Sequence, residues 1–351
     1  MRRLAPLFAF LFSLAGIAQA NDAASDVDAM MSRYQGDVPG ASLLVIKDGK
    51  PLVSRGYGLA NLETQEAATP ATNYRLASVT KQFTAAAILL LAERGTLHLD
   101  DHVRHWIPEL PATHEAITIR QLLSHGGGLI DYEDLMPANV TDQISDADVL
   151  RMLAAEPKSY FAPGTSYRYS NGGYVLLGLI VERASKQSLP DFLARNIFQP
   201  LGMTHTLLYV RGGPNVPHRA YGYSEENGHW TRTDQSTTSA TRGDGGIYSS
   251  IDDMAKWDAA LYDRRLLSDA SRQLAFGIQN KVSDEVDVDG YGFGWRIHGD
   301  VLWHSGESMG FRNVIIRWPK QRLTVVLLSN RNDPEPYRTA LAIGQRFLHT
   351  P

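Results

Sequence analysis

The chain has 351 residues, with 34 Lys and Arg against 38 Asp and Glu, a formal charge of −4 at pH 7, and no cysteine. This balance argues against a nucleic-acid partner and gives no reason to expect an anionic membrane surface. The lack of cysteine excludes disulfides, thiolate metal sites and a cysteine nucleophile. Hydrophobic residues make up 43% of the chain, which suits one large globular unit or two closely connected lobes.

Residues 1–20 are predicted to be a secretory signal peptide. Arg2 and Arg3 supply the positive start, Leu4–Ile17 the apolar stretch and Ala18–Ala20 the small-residue cleavage site. We expect cleavage after Ala20 and a periplasmic or secreted protein, with an uncleaved N-terminal anchor as the alternative. No other stretch approaches the length of a membrane span, so none is expected after cleavage.

The first half of the chain is predicted to begin with a helix and a β-hairpin, followed by an apolar helix that Gly95 ends. The predicted elements are a helix over Val27–Tyr34, strands over Ala41–Lys47 and Pro51–Leu59, and a helix over Phe83–Ala92.

Ser78 and Lys81 are predicted to lie on the first turn of that apolar helix, on one face. A lysine is electrostatically disfavoured there, because the free amide groups and the helix dipole repel a cation. Such a lysine is suited to activating a neighbouring hydroxyl. The structural alternative is a capping serine followed by a lysine that extends to solvent.

Residues 96–240 are predicted to be helical or irregular, broken by several prolines. Helices are expected over Ile119–Leu123 and Gly173–Ser185, and Tyr169-Ser170-Asn171 lies in the loop before the second. Three histidines resemble a metal site in their spacing, but no carboxylate completes one, so no metal and no other cofactor is expected. These histidines are His98, His102 and His105. His125 is interpreted as a structural turn residue.

The last third is predicted to form an antiparallel sheet, because short strands follow one another with tight turns. The predicted elements are a helix over Asp252–Tyr262, strands over Tyr291–His298, Val301–His304, Phe311–Trp318 and Arg322–Ser329, and a helix over Tyr337–Leu348. We expect the N-terminal hairpin to join this sheet, with the helical middle inserted between the two ends.

Gly306-Glu307-Ser308-Met309-Gly310 matches the Gly-x-Ser-x-Gly nucleophile elbow. That motif requires a strand that turns sharply into a helix. The residues after Gly310 alternate like another strand, so we do not expect Ser308 to be the nucleophile.

Three motifs together, Ser78-x-x-Lys81, Tyr169-x-Asn171 and His304-Ser305-Gly306, resemble the serine β-lactamase and penicillin-binding-protein-like family. The resembling branch holds class C β-lactamases, D-Ala-D-Ala carboxypeptidases, D-aminopeptidases and esterases. It implies an α/β (α+β) fold in which an antiparallel sheet is flanked by helices and carries an inserted, mostly helical lobe. Residues 21–351 would form a single catalytic domain, with an α/β lobe from about 21–77 and 241–351 and a helical lobe at about 78–240.

The resemblance also implies roles for the motif residues. Ser78 would be the nucleophile of an acyl-enzyme, and Lys81 and Tyr169 would share the role of general base. Asn171 would hold Lys81 and the substrate, and the backbone amides of Ser78 and Glu307 would form the oxyanion hole. Further substrate contacts would come from Ser305, Gly306 and His304.

His304 stands where the family most often has lysine, which argues against strong β-lactamase activity. The implied function is hydrolysis of amide or ester bonds in small acyl or D-amino-acid peptide substrates, some of them derived from the cell wall. A binding or regulatory relative without turnover is the alternative. We expect the pocket walls to come from loops around 131–141 and 212–239; the substrate and the oligomeric state stay open.

Overall fold

The computed structural model describes residues 26–348, so the predicted signal peptide lies outside the described residues. The strands in this range are β1 (Ala41–Lys47), β2 (Lys50–Tyr57), β3 (Leu59–Asn61), β4 (Glu66–Ala67), β5 (Tyr74–Arg75), β6 (Leu207–Leu208), β7 (Tyr223–Glu226), β8 (His229–Arg232), β9 (Ile247–Ser249), β10 (Asn280–Lys281), β11 (Gly290–Tyr291), β12 (Arg296–His298), β13 (Val301–Ser308), β14 (Phe311–Trp318) and β15 (Leu323–Ser329).

The α-helices with bounds inside the described range are α1 (Lys81–Glu93), α2 (Val103–Trp106), α3 (Ile119–Leu123), α4 (Tyr132–Leu135), α5 (Asp146–Ala155), α6 (Asn171–Ser185), α7 (Leu189–Leu193), α8 (Gln199–Leu201), α9 (Ile251–Ala260), α10 (Asp269–Phe276) and α11 (Pro336–Leu348). Residues 26–30 are also helical. A 3₁₀ turn, Ala77–Thr80, comes directly before α1. None of the helices in the described range is both long and apolar enough to cross a bilayer.

The central sheet has eight antiparallel strands in the order β10-β11-β12-β13-β14-β15-β1-β2. Strand β1 pairs with β15 from Ala41 opposite Ser329 to Lys47 opposite Leu323, so the N-terminal hairpin joins the C-terminal strands as predicted. The middle strands are buried along nearly their whole length because helices cover both faces. The proposed boundaries between the two lobes stay a prediction.

Each face of the sheet has its own hydrophobic cluster. Helix α11 packs against β14 and β15, where Ile343 and Phe347 are buried. On the other face, α9 packs against β1 and β15, and α1 lies in the same cluster, packed against α6. Helix α1 is buried at 11 of its 13 positions, which explains why its sequence is apolar on every side.

Several predicted elements differ from the structure. The strand expected over Tyr291–His298 is two short strands, because the chain turns at Gly294, whose φ of +79° favours glycine. Ser78 lies on the 3₁₀ turn before α1 and not on the first turn of the α-helix itself. Strand β13 also runs four residues further than expected, to Ser308.

Candidate active site

Lys81 is buried beneath Ser78, and its ammonium nitrogen donates to three oxygens. Nζ lies 3.1 Å from Ser78 Oγ, 2.7 Å from Asn171 Oδ1 and 2.9 Å from the carbonyl oxygen of Asp244. A lysine ammonium has three hydrogens to donate, so this network satisfies all of them. The lysine is fully buried, and it is therefore held in one position against the serine.

The backbone next to Ser78 is strained. Ala77 has a φ of +48°, in the left-handed region that a residue with a Cβ rarely adopts. Such conformations cost on the order of 1–3 kcal/mol and occur where the surrounding structure fixes them. The residues packed around the turn that carries Ser78 therefore hold its backbone in this conformation.

Asn171 links Lys81 to the helical part of the molecule. It is the first residue of α6, whose N-cap is Ser170, and the Ser170 hydroxyl accepts from the amide of Gly173. The Asn171 oxygen accepts from Lys81, and its Nδ2 donates to Glu133 Oε1 at 3.1 Å. Because one neighbour only donates and the other only accepts, the orientation of the amide is determined.

Tyr169 contributes its ring to the site, and its oxygen is not yet engaged. Lys81 Nζ lies 4.9 Å from the centre of the Tyr169 ring, within the range of a cation–π contact. The buried hydroxyl has no hydrogen-bond partner among the described residues. The structure thus brings Tyr169 next to Lys81, while its role as a base stays a prediction.

Strand β13 passes directly beside the Ser78 turn. A Cβ added to Gly306 would lie 2.0 Å from the carbonyl oxygen of Leu76 and 3.2 Å from the amide nitrogen of Ser78. Only glycine permits this approach. The strand pairs with β12 only as far as Trp303, so from His304 onward one backbone edge is free of a partner strand and faces this turn.

His304 lies behind the site, and both of its ring nitrogens bond to protein groups. Nδ1 lies 2.6 Å from the carbonyl oxygen of Ser305 and Nε2 lies 2.8 Å from the Tyr291 hydroxyl. A carbonyl only accepts, so Nδ1 carries the proton and Tyr291 donates to Nε2. Burial, with Arg296 and Lys81 nearby, holds the pKa of His304 well below its usual value. Both ring nitrogens are thus engaged by protein groups, and the predicted contact between His304 and substrate stays a prediction.

The cleft in front of Ser78 is lined by residues of the motifs together with loop residues that the motifs did not identify. Its lining residues are Arg75, Ala77, Ser78, Glu133, Asn171, Thr238, Ser239, Thr241, Asp244, Gly245, Glu307 and Ser308. Glu133, Thr238 and Ser239 come from the two loops that were expected to form the pocket walls. Ser305 and Gly306 are not among the lining residues, so their predicted substrate contacts stay predictions.

Ser308 does not lie on a nucleophile elbow. Strand β13 ends at Ser308, and β14 begins at Phe311, so a hairpin and not a helix follows it. The prediction that the elbow context is missing is confirmed. Ser308 is nevertheless one of the residues that line the Ser78 cleft, and its buried hydroxyl has no hydrogen-bond partner among residues 26–348.

His125 occupies a turn, as expected. Its φ is +57°, its Nδ1 accepts from the amide of Ser170 at 3.1 Å, and its ring packs 4.3 Å from that of Tyr169. It therefore supports the loop that carries Tyr169 and Asn171.

Comparison with known proteins shows the family of the chain. The Beta-lactamase family profile matches residues 20–349. Penicillin-binding protein 4* of Bacillus subtilis (strain 168) is 33% identical over 86% of this chain and 70% of its own length. Protein flp of Staphylococcus aureus (strain MRSA252) is 30% identical over 89% of this chain, which spans only 64% of that relative.

Solved structures show the same fold. The octameric penicillin-binding protein homologue from Pyrococcus abyssi superposes with a TM-score of 0.82 and 28% identity, over 92% of this chain and 75% of that one. The D-amino acid amidase from Ochrobactrum anthropi SV3, complexed with L-phenylalanine amide, gives 0.77 and 26%, over 94% of this chain and 97% of that one. The predicted fold class and family resemblance are confirmed. This chain belongs to the β-lactamase family and is a serine hydrolase of that family.

Proposed function

We propose that the protein hydrolyses amide or ester bonds of small acyl or D-amino-acid peptide substrates through an acyl-enzyme on Ser78. The observation that carries the proposal is the 3.1 Å contact between Lys81 Nζ and Ser78 Oγ beside a strained turn. D,D-peptidase, D-aminopeptidase and esterase reactions all fit this chemistry. A non-turnover binding relative is the alternative.

The hydrogen-bond pattern supports Lys81 as the proton acceptor. Asn171 Oδ1 and the Asp244 carbonyl only accept, so both require an N–H of Lys81. The Ser78 hydroxyl both donates and accepts. To accept the Ser78 proton, Lys81 would act as the amine, keeping its two other bonds and directing its lone pair at that proton.

Acylation would proceed as Ser78 Oγ attacks the carbonyl carbon and its proton passes to Lys81. The proton is then delivered to the leaving amine or alcohol, and Tyr169, next to Lys81, would share the transfer. Backbone amides of Ser78 and Glu307 would stabilise the oxyanion. Removal of one such donor typically costs about 2.7–4 kcal/mol of transition-state stabilisation. Water would then attack the acyl-enzyme by the same route and release the acid.

The free edge of β13 supports an extended substrate, because an acyl group laid along His304–Ser308 gains backbone hydrogen bonds. His304 is neutral and stands where the family most often has lysine. This difference supports only a weak β-lactamase activity. The predicted signal peptide supports a periplasmic or secreted location.

Steady-state hydrolysis of p-nitrophenyl acetate tests the proposal. We expect turnover in the wild type, loss of at least about 1,000-fold in Ser78→Ala, and retention in Ser308→Ala. Loss in Ser308→Ala with retention in Ser78→Ala would refute the nucleophile assignment. If the folded wild-type protein turned over no D,D-peptidase, D-aminopeptidase or esterase substrate, the non-turnover binding relative would be favoured.

A further inference from the structure

Two cations lie beside the ring of Tyr169 in the part of the chain that the structure describes. Lys81 Nζ is 4.9 Å from the ring centre, and the guanidinium carbon of Arg296 is 5.3 Å from it. Both distances are within the range of a cation–π contact. None of the three motifs contains Arg296, although its side chain is only 15% exposed and lies next to a predicted catalytic residue.

Strand β12 and a carboxylate fix the position of Arg296. The arginine is the first residue of β12, directly opposite Trp303 of β13, and its guanidinium carbon lies 5.1 Å from the Trp303 ring. Its Nε donates to Glu285 Oε2 at 3.1 Å. The Glu285 side chain is 30% exposed, twice the fraction of the arginine. Glu285 thus orients Arg296, while solvent weakens its neutralising effect on that charge.

Five further titratable groups around the Tyr169 ring are uncharged near neutral pH. The His125 ring lies 4.3 Å and the His304 ring 6.1 Å from it, and burial holds the pKa of both histidines well below 6.5. Three tyrosines complete this group, and burial raises the pKa of each above its usual value. They are Tyr167, Tyr174 and Tyr291. His304 therefore adds no charge at the position where the family most often has lysine.

The charge of Arg296 is permanent, whereas the charge of Lys81 changes in the proposed reaction. Lys81 would take the Ser78 proton and later release it. An arginine guanidinium keeps its proton in proteins. When Lys81 is the amine, Arg296 therefore still provides positive charge beside Tyr169.

We propose that Arg296 is a positioning residue whose fixed charge supports proton transfer through Tyr169, in place of the cation that His304 lacks. This inference rests on the proposed function and names a further residue that the reaction uses. Arg296 acts on the reaction through Tyr169, since its guanidinium lies against that ring and is not among the residues that line the Ser78 cleft.

The proton transfers in acylation define what the charge does. Ser78 Oγ bonds to the carbonyl carbon, and its proton passes to Lys81. As the bond to the leaving nitrogen or oxygen breaks, that atom takes the Tyr169 hydroxyl proton, and Lys81 returns its proton to Tyr169. Arg296 stabilises the negative charge that the Tyr169 oxygen carries between these two transfers.

Two esters with the same acyl group test this role. Phenolate is a poorer leaving group than p-nitrophenolate, so phenyl acetate needs the Tyr169 proton more than p-nitrophenyl acetate does. In Arg296→Gln we expect kcat/KM to fall at least about tenfold for phenyl acetate, and by a smaller factor for p-nitrophenyl acetate. Arg296→Lys keeps the charge and should restore most of the loss. A residue that only supports the fold would reduce both rates by the same factor.

The pH profile of kcat/KM gives a readout of the charge itself. A positive charge beside Lys81 and Tyr169 favours the state in which this pair has lost a proton. The acid limb should therefore move to higher pH in Arg296→Gln, by about one pH unit. It should move to lower pH in Glu285→Gln, because that variant removes the negative charge paired with the arginine. A merely structural ion pair would lower the rate in both variants without moving the limb.

Arg338→Gln is the matched control. Arg338 also pairs with an acid, Asp287 at 2.8 Å, but its side chain lies on α11 and is 64% exposed. The variant should leave the ratio of the two ester rates and the pH profile unchanged. Circular dichroism shows whether each variant is folded.

Equal losses on the two esters, or an unmoved acid limb in Arg296→Gln, would overturn the inference. Ser78-dependent turnover in the wild type would in that case leave the proposed function standing. If Arg296→Gln does not fold, an unmoved limb in Glu285→Gln would overturn the inference instead. The absence of turnover in the folded wild type would overturn both.

Discussion

At the scale of single residues, the site depends on positions where only one side chain fits. Lys81 is buried with its three hydrogens bonded, and Gly306 lets β13 approach the Ser78 amide. Both features come from the surroundings of these two positions. A lysine or a glycine elsewhere in the chain is not constrained in this way. The contribution of each motif residue to the site therefore depends on the groups around it as much as on its own side chain.

Gly306→Ala is expected to impair both stability and activity. The added methyl would lie 2.0 Å from the Leu76 carbonyl, so the strand or the turn must move. Overpacking of this kind typically costs about 1–3 kcal/mol. We expect a loss of that size in urea unfolding, and at least about tenfold lower ester turnover in the folded enzyme.

Gly173→Ala is the matched control, because a Cβ there has its nearest neighbour at 3.6 Å and the residue lies in α6. It should retain stability and turnover. Equal tolerance of both substitutions would contradict the close approach of β13 to Ser78.

At the scale of elements, three segments far apart in sequence meet because α1, α6 and β13 are packed together. The 3₁₀ turn lies against β13, and α1 packs along α6. The loop before α6 is fixed by Asp131, whose Oδ2 accepts from Ser170 Oγ at 2.7 Å and from the Gly172 amide at 3.0 Å. The position of Asn171 thus follows from how α6 begins.

A buried ion pair links α9 to the sheet. Asp258 Oδ1 accepts from Arg317 Nε and from Thr324 Oγ1, each at 2.8 Å, and the side chains of Asp258 and Arg317 are 4% and 1% exposed. Asp258→Ala would leave a buried guanidinium unpaired, at a cost of about 3–5 kcal/mol. Urea unfolding should show this loss.

The exposed pair Lys320–Asp300 provides the control, since its side chains are 67% and 60% exposed. Asp300→Ala should change the free energy of unfolding by less than about 1 kcal/mol. A similar small effect in Asp258→Ala would show that the buried pair does not hold α9.

At the scale of the whole molecule, the sequence predicted the sheet because strands such as Phe311–Trp318 have a local alternating pattern. The candidate site came from the family resemblance of three motifs taken together, since the spacing of Ser78 and Lys81 alone also fits a capping serine and a solvent-facing lysine. The turn at Gly294 could not be predicted, because Tyr291–His298 has the apolar content of one strand. Glu133 and Asp244 were also missed as residues of the cleft. They reach it through contacts between segments far apart in sequence, and no local sequence pattern indicates such contacts.

Buried histidines predict an acid-sensitive fold. Burial lowers the pKa of both His125 and His304 well below the usual value of 6.5, so the folded state keeps them neutral. Their contribution to stability is complete above pH 6.5 and is lost as pH falls through the folded pKa values, because the unfolded chain takes up the protons. Each such group contributes a slope of up to about 1.4 kcal/mol per pH unit.

Urea unfolding between pH 7.5 and 5.0 measures this slope. His304→Gln should reduce it by about one proton relative to the wild type. A stability curve that is flat in the wild type, or equally steep in the variant, would contradict the neutral burial of His304.

The most direct test of the account is intact-mass spectrometry of the folded protein after exposure to a fluorophosphonate, followed by peptide mapping. We expect one adduct per chain, located on Ser78, because Lys81 activates only that hydroxyl. An adduct on Ser308, or no adduct on a sample shown to be folded, would contradict it.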